Sequence, residues 1–453
     1  MAMWQNQLCV VALIVVTGFD MPCAWAAPQF IQQVHISSSP NPLGSGARAL
    51  GMGSAFIGFA DDATAASWNP AGLIQLETPE VSVVGSFLSR KEDYSSVTNP
   101  ESAGVQHSGS TDLNYFSVAV PVQLPWTNAV FSLNYQALYD FNKSLNYSFN
   151  FSGSEPTMVG IPMLWSDTQQ NSARQTGVIH ALSPAMAVQV TPYISLGITV
   201  NWWTDKLEGG IGWQQDVVAV ATGKFGLGAL TNPFSTTLIQ RESYDHLNGI
   251  NFNLGLLWEI SEMMRLGFVV KTPFNLHMRH HLSIETLGSV VAKNQFDEAA
   301  KLHFPLSYGV GLALRFSDAF SLAMDVFRTE WSDFYIQSQG DVPTSPLDGQ
   351  PLSKSRVKAT HQVRVGGEYL FVLPKTVIAL RAGLYYDPQP SPDGVDNIYG
   401  ISVGGGYMYD NIVFDMAYTY DWGNHLNGSA SGIANSTFKL RRHRIYASAI
   451  VHF

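Results

Sequence analysis

The last ten residues, 444–453, read R-I-Y-A-S-A-I-V-H-F and alternate between two chemically different faces. One face carries Ile445, Ala447, Ala449, Val451 and Phe453. The other face carries Arg444, Tyr446, Ser448 and His452, together with Ile450. A strand with an apolar outer face and a polar inner face is typical of bacterial outer-membrane β-barrels. Because soluble antiparallel sheets alternate as well, the rest of the chain has to decide between the two.

The N-terminus predicts an exported chain. Residues 8–19 form an apolar run, and residues 24–26 read A-W-A, which resembles a signal-peptidase site. The run is shorter than the ~20 apolar residues that a membrane-spanning helix needs. We therefore expect a signal peptide over residues 1–26. Both cysteines, Cys9 and Cys23, lie within it, so the mature chain would have no disulfide, thiolate metal site or cysteine nucleophile.

The composition fits a membrane barrel better than a set of soluble domains. Charged residues make up 13% of the chain, about half the share in soluble proteins, and aromatic residues reach 12%. After residue 26 no apolar stretch is long enough for a transmembrane helix. The net charge of −10 and the lack of a basic tract argue against a nucleic-acid partner.

Period-two alternation bounded by turn residues predicts fourteen strands. They cover residues 79–89, 112–122, 128–141, 174–191, 193–206, 247–259, 263–275, 303–316, 320–334, 361–371, 376–387, 399–409, 411–422 and 440–453. The connections between them alternate strictly between long and short. Short periplasmic turns and long outer loops are a property of outer-membrane barrels. The sequence therefore predicts an all-β fold, a closed fourteen-stranded antiparallel transmembrane β-barrel over residues 79–453, in the cell outer membrane.

Residues 27–78 precede the first strand and do not alternate. The wall side chains of so wide a barrel cannot fill its lumen, since filling fails above ~8 strands. Glycines at 44, 46, 51 and 53 come before a helix-like apolar stretch around residues 55–66. We interpret residues 27–78 as an N-terminal hatch that plugs the lumen. Because a following proline keeps a residue out of the helical region, Asn69, Pro70, Ala71 and Gly72 are expected to form the hatch tip against the wall.

Strand parity directs Lys271, Arg364 and Arg381 into the lumen at mid to upper height. A cation there could hold the carboxylate of an amphiphile by a charge-assisted hydrogen bond. The alternative is ion pairing between wall and hatch, with Asp61, Asp62, Glu368 or Asp415 as partners, since buried charges usually pair with one another. Phe30, four residues into the mature chain, is a further ligand-binding candidate that could cap an apolar pocket.

Other motifs do not indicate catalysis. Residues 400–404 match G-x-S-x-G, but they lie within a predicted strand, whereas a nucleophile elbow needs a strand–turn–helix. His277, His280, His281 and His303 cluster in or beside one outer loop, and histidines alone in a loop are weak evidence for a metal site. We expect no enzymatic activity, no cofactor and no metal.

Several segments resemble the FadL/TodX-type outer-membrane transporters of long-chain fatty acids and hydrophobic compounds. In the hatch they are residues 41–44 (N-P-L-G), 46–53 (G-A-R-A-L-G-M-G), 60–63 (A-D-D-A) and 68–72 (W-N-P-A-G). In the barrel they are residues 305–309, 325–334, 381–387, 402–407 and 414–418. The resemblance covers residues 40–453, in the order of the family.

This resemblance implies passive uptake of long-chain fatty acids or other hydrophobic small molecules through the outer membrane. It also implies rearrangement of the hatch and lateral release through a gap beside a kinked strand. The alternative function is a barrel scaffold that serves secretion or assembly, because related barrels share the hatch motif. An outer-membrane hydrolase ranks third. The expected partners are the cargo and outer-membrane lipids, and the barrel is expected to be a monomer.

Overall fold

The structure is a computed structural model that describes residues 41, 44–156, 161–208, 210–227, 230–288 and 291–453. The predicted signal peptide, both cysteines and Phe30 lie outside these residues. Among the helices in the described part of the chain, none has the length and apolar character to span a membrane.

Helices are short and strands dominate. The hatch contains helices Ala47–Gly51 and Ala65–Trp68 and the 3-10 helix Pro70–Gln75; further 3-10 turns are Pro100–Ser102, Lys206–Glu208, Trp331–Asp333 and Ser429–Ser431. The strands are β1 (Glu80–Ser96), β2 (Gly104–Gln123), β3 (Asn128–Asp140), β4 (Lys143–Glu155), β5 (Met163–Thr191), β6 (Ile194–Thr204), β7 (Ile211–Leu227), β8 (Leu230–Ser261), β9 (Met264–Lys271), β10 (Phe274–Leu287), β11 (Ala292–Phe304), β12 (Ser307–Arg315), β13 (Phe320–Thr329), β14 (Tyr335–Ser338), β15 (Thr360–Leu373), β16 (Thr376–Tyr386), β17 (Gln389–Ser391), β18 (Gly394–Asp396), β19 (Tyr399–Tyr409), β20 (Ile412–Asn427) and β21 (Ser436–His452).

Within the described residues, fourteen strands pair side by side in an antiparallel ring. Their order is β1, β2, β3, β5, β6, β8, β9, β12, β13, β15, β16, β19, β20 and β21. The ring closes where β21 pairs with β1, from Glu80 opposite His452 to Ser96 opposite Ser436. Closure joins the first and last wall strands, as a membrane-spanning sheet requires. The predicted fold class and strand number are confirmed.

The sequence analysis predicted loops for the long outer connections, but the structure forms strands in many of them. Segments predicted as loops form β4, β7, β10, β11, β14, β17 and β18, and β5 and β8 continue outward to 29 and 32 residues. Most of these strands extend the wall sheet above the membrane, whereas β17 and β18 form a separate two-stranded sheet. There both faces can meet water or pack on other loops, so the apolar alternation that marks a lipid-facing strand is no longer a reliable guide.

The apolar side chains change sides where the wall leaves the membrane. On β9, Phe268 and Val270 are exposed on the lipid face. Six to ten residues later, on β10, Leu276 and Met278 are buried on the inner face although they have the same parity. The break at residues 272–273, which includes Pro273, shifts the phase. Predicted strand 263–275 therefore runs across two elements.

The hatch lies inside the ring, and its apolar residues form one buried cluster with inward-facing wall residues such as Ala119, Val130 and Phe327. The expected helix over residues 55–66 is wrong. Residues 55–64 form turns and irregular backbone, and the helices lie before them at Ala47–Gly51 and after them at Ala65–Trp68. Positive φ angles at Gly53 (65°) and Ser54 (60°) end the first helix, and a left-handed residue cannot continue a right-handed helix.

The hatch backbone lies directly against the wall at a half-belt of glycines. A Cβ atom at any of these positions would overlap or press on hatch atoms; they are Gly197, Gly255, Gly267, Gly311, Gly366, Gly383 and Gly404. Several are register partners, including Gly366 with Gly383 and Gly267 with Gly311. Glycine in a strand often marks such a close backbone approach. The half-belt therefore fixes the position of the hatch in the lumen.

Neighbouring glycines of β15 allow this contact to be tested. A Cβ at Gly366 would overlap the carbonyl oxygen of Met52, whereas one at Gly367 would meet Ser321 at an ordinary 3.6 Å. Gly366→Ala should displace the hatch at a cost of about 1–3 kcal/mol, and cells should become more permeable to a bulky polar antibiotic. Gly367→Ala is the matched control. Equal permeability of the two variants would contradict a tight hatch–wall contact.

Candidate functional site

The predicted hatch tip packs against the wall as a turn followed by a 3-10 helix. Asn69 is extended (φ −142°, ψ 101°), and its side-chain oxygen accepts a hydrogen bond from Ala71 N at 3.2 Å. Its Nδ2 donates to Ile57 O at 2.9 Å and to Leu256 O of β8 at 3.1 Å. Pro70, Ala71 and Gly72 follow in the 3-10 helix and are buried. Asn69 thus ties two parts of the hatch to the wall.

Arg381 lies in an ion-pair chain that joins wall and hatch. Its Nε donates to Glu368 Oε2 and its Nη1 to Asp415 Oδ1, each at 2.6 Å. The same Glu368 binds hatch residue Arg48 through Nη2 at 2.9 Å and Nε at 3.0 Å, and Arg48 also pairs with Asp61 at 2.7 Å. Glu368 therefore holds one guanidinium from the wall and one from the hatch.

Arg364 is also engaged with the hatch and with a carboxylate. Its Nη1 donates to Gly53 O at 3.3 Å, and its Nη2 lies 3.3 Å from Asp387 Oδ2. Asp387 in turn accepts a hydrogen bond from Asn41, the first described hatch residue, at 3.0 Å. The guanidinium is 3% exposed and lies over the ring of Tyr385. This geometry supports the ion-pairing alternative for Arg364 and for Arg381.

The opposite arc of the lumen, on β2 to β8, carries amide and hydroxyl groups. Gln136 donates to Asn201 Oδ1 at 2.6 Å and to Ser183 Oγ at 2.7 Å. Asn201 donates onward to Asn251 at 3.0 Å and to Asn253 at 3.1 Å. The lumen is thus electrostatically asymmetric, because the ion pairs of Glu368, Arg381 and Arg364 lie on β15, β16 and β20.

Burial also affects one acidic group of the hatch. Asp62 is 6% exposed, and its Oδ1 accepts hydrogen bonds from Thr64 N at 2.8 Å and Thr64 Oγ1 at 2.5 Å. Desolvation raises the pKa of Asp62 to about 6, against the lowering effect of Arg48 and of the Thr64 hydroxyl. Since the folded state then binds this proton more tightly than the unfolded chain, the hatch gains stability as the pH falls through 6.

Six rings form an aromatic cluster in the lumen above the hatch. They are Tyr139, Trp203, Phe274, Phe304, Trp331 and Phe334, and neighbouring ring centroids lie 4.7–5.7 Å apart. Trp331 Nε1 donates to Asn41 Oδ1 at 2.6 Å, so the cluster is in contact with the first described residue of the hatch. A second stack, of Phe141, Trp213 and Tyr244, belongs to the same buried apolar group.

Lys271 lies between the hatch and the aromatic cluster. In register it faces Asn253 on β8 and Ser307 on β12, and Asn253 is buried in the lumen arc. Two residues earlier, Val269 packs in the hatch cluster, and three residues later Phe274 belongs to the aromatic cluster. The structure thus places Lys271 on the wall between the hatch cluster and the aromatic cluster, and its predicted role in ligand binding stays a prediction.

One seam of the wall is incomplete. Pairing between β2 and β3 runs from Gln123 opposite Asn128 and ends at Tyr115 opposite Gln136. Above that rung each strand continues with its other neighbour, β2 with β1 and β3 with β5. Both continuations contain a register shift, and such bulges bend strands.

Side chains bridge this seam. Asn114 Nδ2 donates to Ala137 O at 2.9 Å, and Ser110 Oγ donates to Asp140 Oδ2 at 2.6 Å. Side-chain hydrogen bonds of this kind can open without disturbing a backbone ladder. The seam is therefore the position at which the wall between these strands can separate locally.

The structure places the predicted groups at separate positions around the hatch: Arg364 and Arg381 lie in ion pairs on β15 and β16, Lys271 lies on β9, and the hatch tip packs against β8. Phe30 stays a prediction. Sequence reasoning did not identify Arg48 as the hatch residue that pairs with Glu368. It also missed the whole aromatic cluster. A signal for the cluster exists in residues 274–279, F-N-L-H-M-R, which alternate as a strand does. Within the described residues, no group of three or more His, Cys, Asp or Glu side chains is placed to hold a metal ion.

Comparison with known proteins resolves the identity of the fold. The family model for outer membrane protein transport proteins (OMPP1/FadL/TodX) matches residues 24–445. The chain belongs to this family. It is therefore an outer-membrane transport protein, and the predicted resemblance and location are confirmed. A comparison with curated proteins gives no significant match.

Solved structures of similar fold include three members of this group. A FadL homologue of Pseudomonas aeruginosa has a TM-score of 0.59 at 15% identity, covering 90% of this chain and 98% of its own. The toluene transporter TodX of Pseudomonas putida has a TM-score of 0.56 at 14% identity, covering 93% and 100%. The CymD monoaromatic hydrocarbon channel has a TM-score of 0.54 at 16% identity, covering 91% and 98%. At these identities the likeness establishes the fold.

The shared carboxylate of Glu368 gives a direct test of hatch attachment in this FadL/TodX-family protein. Glu368→Gln removes the charge that two arginines share, and breaking a buried pair costs about 3 kcal/mol or more. Amide hydrogen exchange in residues 46–53 should become faster while the wall strands stay protected. Glu330→Gln, which removes the half-buried partner of Arg328, should leave the hatch unchanged. Unchanged exchange in both variants would show that the ion pairs do not hold the hatch.

Proposed function

We propose that the protein takes up long-chain fatty acids or other hydrophobic small molecules passively across the bacterial outer membrane. In this proposal the cargo binds above the hatch, the hatch rearranges, and the cargo leaves sideways into the bilayer. Family membership supports outer-membrane transport. The names of two solved relatives, a toluene transporter and a monoaromatic hydrocarbon channel, support a hydrophobic cargo.

The aromatic cluster is the observation that carries the proposal. Its rings belong to one buried apolar group on the inner face of the outer strands. Aromatic side chains bury large apolar areas and stack with other rings at centroid distances of 4.5–7 Å. A hydrophobic cargo that replaced some of these ring contacts would remove its own apolar surface from water, which is favourable by roughly 25 cal/mol per Å².

Lys271 is the position that best fits a polar head group. A fatty acid with its chain along the aromatic cluster would bring its carboxylate near the upper hatch, where Lys271 lies. Arg364 and Arg381 lie in ion pairs with the wall carboxylates Asp387 and Glu368. A neutral hydrocarbon needs no cation at all.

The incomplete seam between β2 and β3 supports lateral release. It lies on the arc of amides and hydroxyls, away from the ion pairs that hold the hatch. Cargo on this side would pass the hatch without separating Glu368 from its two arginines. The hydrogen bonds donated by Asn114 and Ser110 would have to break for the two strands to separate.

Uptake of labelled cargo separates the candidate substrates. Cells that produce the protein should take up labelled long-chain fatty acid or toluene faster than cells without it. If fatty acid is the cargo, Lys271→Ala should weaken its binding to the purified protein by about 1.5–3 kcal/mol and leave toluene binding unchanged. Lys375→Ala, in an exposed turn, is the control. If no cargo enters faster, the alternative of a scaffold for secretion or assembly is favoured, since hatch ion pairing suits a closed lumen.

A cross-link can test the exit. Ser110→Cys with Asp140→Cys, joined by a short bifunctional thiol reagent, should close the seam and stop most uptake because the bridging side chains can no longer separate. Ser117→Cys with Asn134→Cys joins the same two strands within their continuous ladder and should leave uptake intact. Full uptake through the first cross-linked protein would mean that cargo leaves elsewhere.

A further inference from the structure

A patch of basic side chains lies on the outer surface, on the strands β10, β11 and β14. In register, His277 faces Lys301 and Tyr335 faces His303, and Arg279 follows one rung further out. The residues between them, Leu276 and Leu302, for example, are fully buried on the inner face. Because side chains alternate across a strand, His277, Arg279, Lys301, His303 and Tyr335 point away from the lumen. We call these five residues the rim patch.

The rim patch lies directly above the lipid-facing surface. His277 on β10 faces Asn248 on β8 in register. The next residue on the same face of β8, in the direction of the membrane, is Ile250, which is 54% exposed. Phe252 on β8 and Val270 on β9 continue this apolar surface. Apolar side chains below and basic side chains above match a lipid, whose acyl chains lie below its head group.

The side chains of the rim patch are held in place by one another. The ring of His303 stacks on Tyr335 with centroids 4.8 Å apart, and its Nδ1 lies 2.9 Å from Asn275 Oδ1. Lys301 Nζ lies over the same Tyr335 ring, 5.6 Å from its centroid. The four-residue strand β14 supplies this ring by pairing with the base of β11. One tyrosine thus positions a lysine and a histidine next to each other.

Lys301 and Arg279 are two cations on the outer surface of a protein with negative net charge, and Arg279 faces Asp245 in register on β8. The chain has 25 Lys and Arg against 35 Asp and Glu, a net charge of −10. Arg279 is 55% exposed and is neutralised in part by Asp297, 2.8 Å away. Lys301 adds a further cation, and each imidazole can donate a hydrogen bond. Lysine and arginine at this height are suited to phosphate oxygens, which accept strong charge-assisted hydrogen bonds.

We propose that the rim patch binds the phosphate group of an outer-leaflet lipid. The lipid's acyl chains lie along Ile250, Phe252 and Val270, and its phosphate accepts hydrogen bonds from Lys301, Arg279 and His277. This site is on the outside of the wall and is separate from the cargo path in the lumen. It would hold an annular lipid against the outer sheet at the base of β10 and β11.

The test titrates purified full-length protein in a neutral detergent and detects bound lipid by native mass spectrometry. The probes are bis-phosphorylated lipid A, its dephosphorylated form and inorganic phosphate. The parent should prefer the phosphorylated lipid, and Lys301→Gln with Arg279→Gln should weaken its binding by at least about tenfold, as expected for lost hydrogen bonds to a charged group. Lys293→Gln is the matched control, since it lies on the outward face of β11, eight residues from Lys301 and far from the membrane.

Three results would overturn the proposal. They are equal binding of both lipids by the parent, equal loss of binding in the Lys293→Gln control, and competition by inorganic phosphate at lipid-like concentrations. The last would indicate a site for a free anion. If the double variant does not fold, Lys301→Gln alone replaces it, because its Tyr335 contact lies on the surface; retained preference in a folded Lys301→Gln protein would also contradict the proposal.

Discussion

The close approach of the hatch backbone to the wall glycines determines how the rest of this lumen is organised. A ring of fourteen strands is too wide for its own side chains to fill, so the hatch has to occupy the space. Where the wall has glycine, as at Gly366 and Gly383, main chain meets main chain. Backbone groups brought so close need hydrogen-bond partners, and wall side chains supply them. Asp325 accepts from Phe56 N and Ile57 N at 2.6 and 2.9 Å.

Ion pairs reinforce this contact on one side of the lumen. Glu368, Arg381 and Arg364 face the first half of the hatch, and buried pairs of this kind resist separation because each partner would be left charged and desolvated. On the opposite arc, the neutral amides of Gln136 and Asn201 form hydrogen bonds with other side chains of the wall. A hatch held in this way is expected to move, if it moves, on the side of β2 and β3. That is also the side where the wall ladder is incomplete.

The wall could be predicted from the sequence because the membrane imposes a simple rule on it. Lipid on one side and a polar lumen on the other force a period of two, and the strand Tyr399–Tyr409 was predicted with the bounds that the structure shows. The register of hatch and wall could not be predicted in this way. Arg48 and Glu368 are 320 positions apart, and no local pattern links them. The parity of Arg381 was correct, but its partners depend on packing across the lumen.

The outer strands show that apolar side chains face the lumen, and no longer the outside, once the wall has left the membrane. Alternate residues from Phe268 to Met278 include apolar side chains on both β9 and β10. In the bilayer such side chains gain by facing lipid, whereas above it they gain only by turning inward, away from water. The phase shift at Pro273 turns the apolar side chains from the lipid face on β9 to the inner face on β10. One continuous pattern in the sequence therefore encodes two opposite orientations. The inward apolar face becomes the aromatic cluster, and the outward face becomes free to carry His277 and Arg279. The aromatic cluster, proposed here as the cargo-binding surface, and the basic rim patch are thus two faces of the same strand, β10, and both follow from the point at which the wall leaves the hydrocarbon.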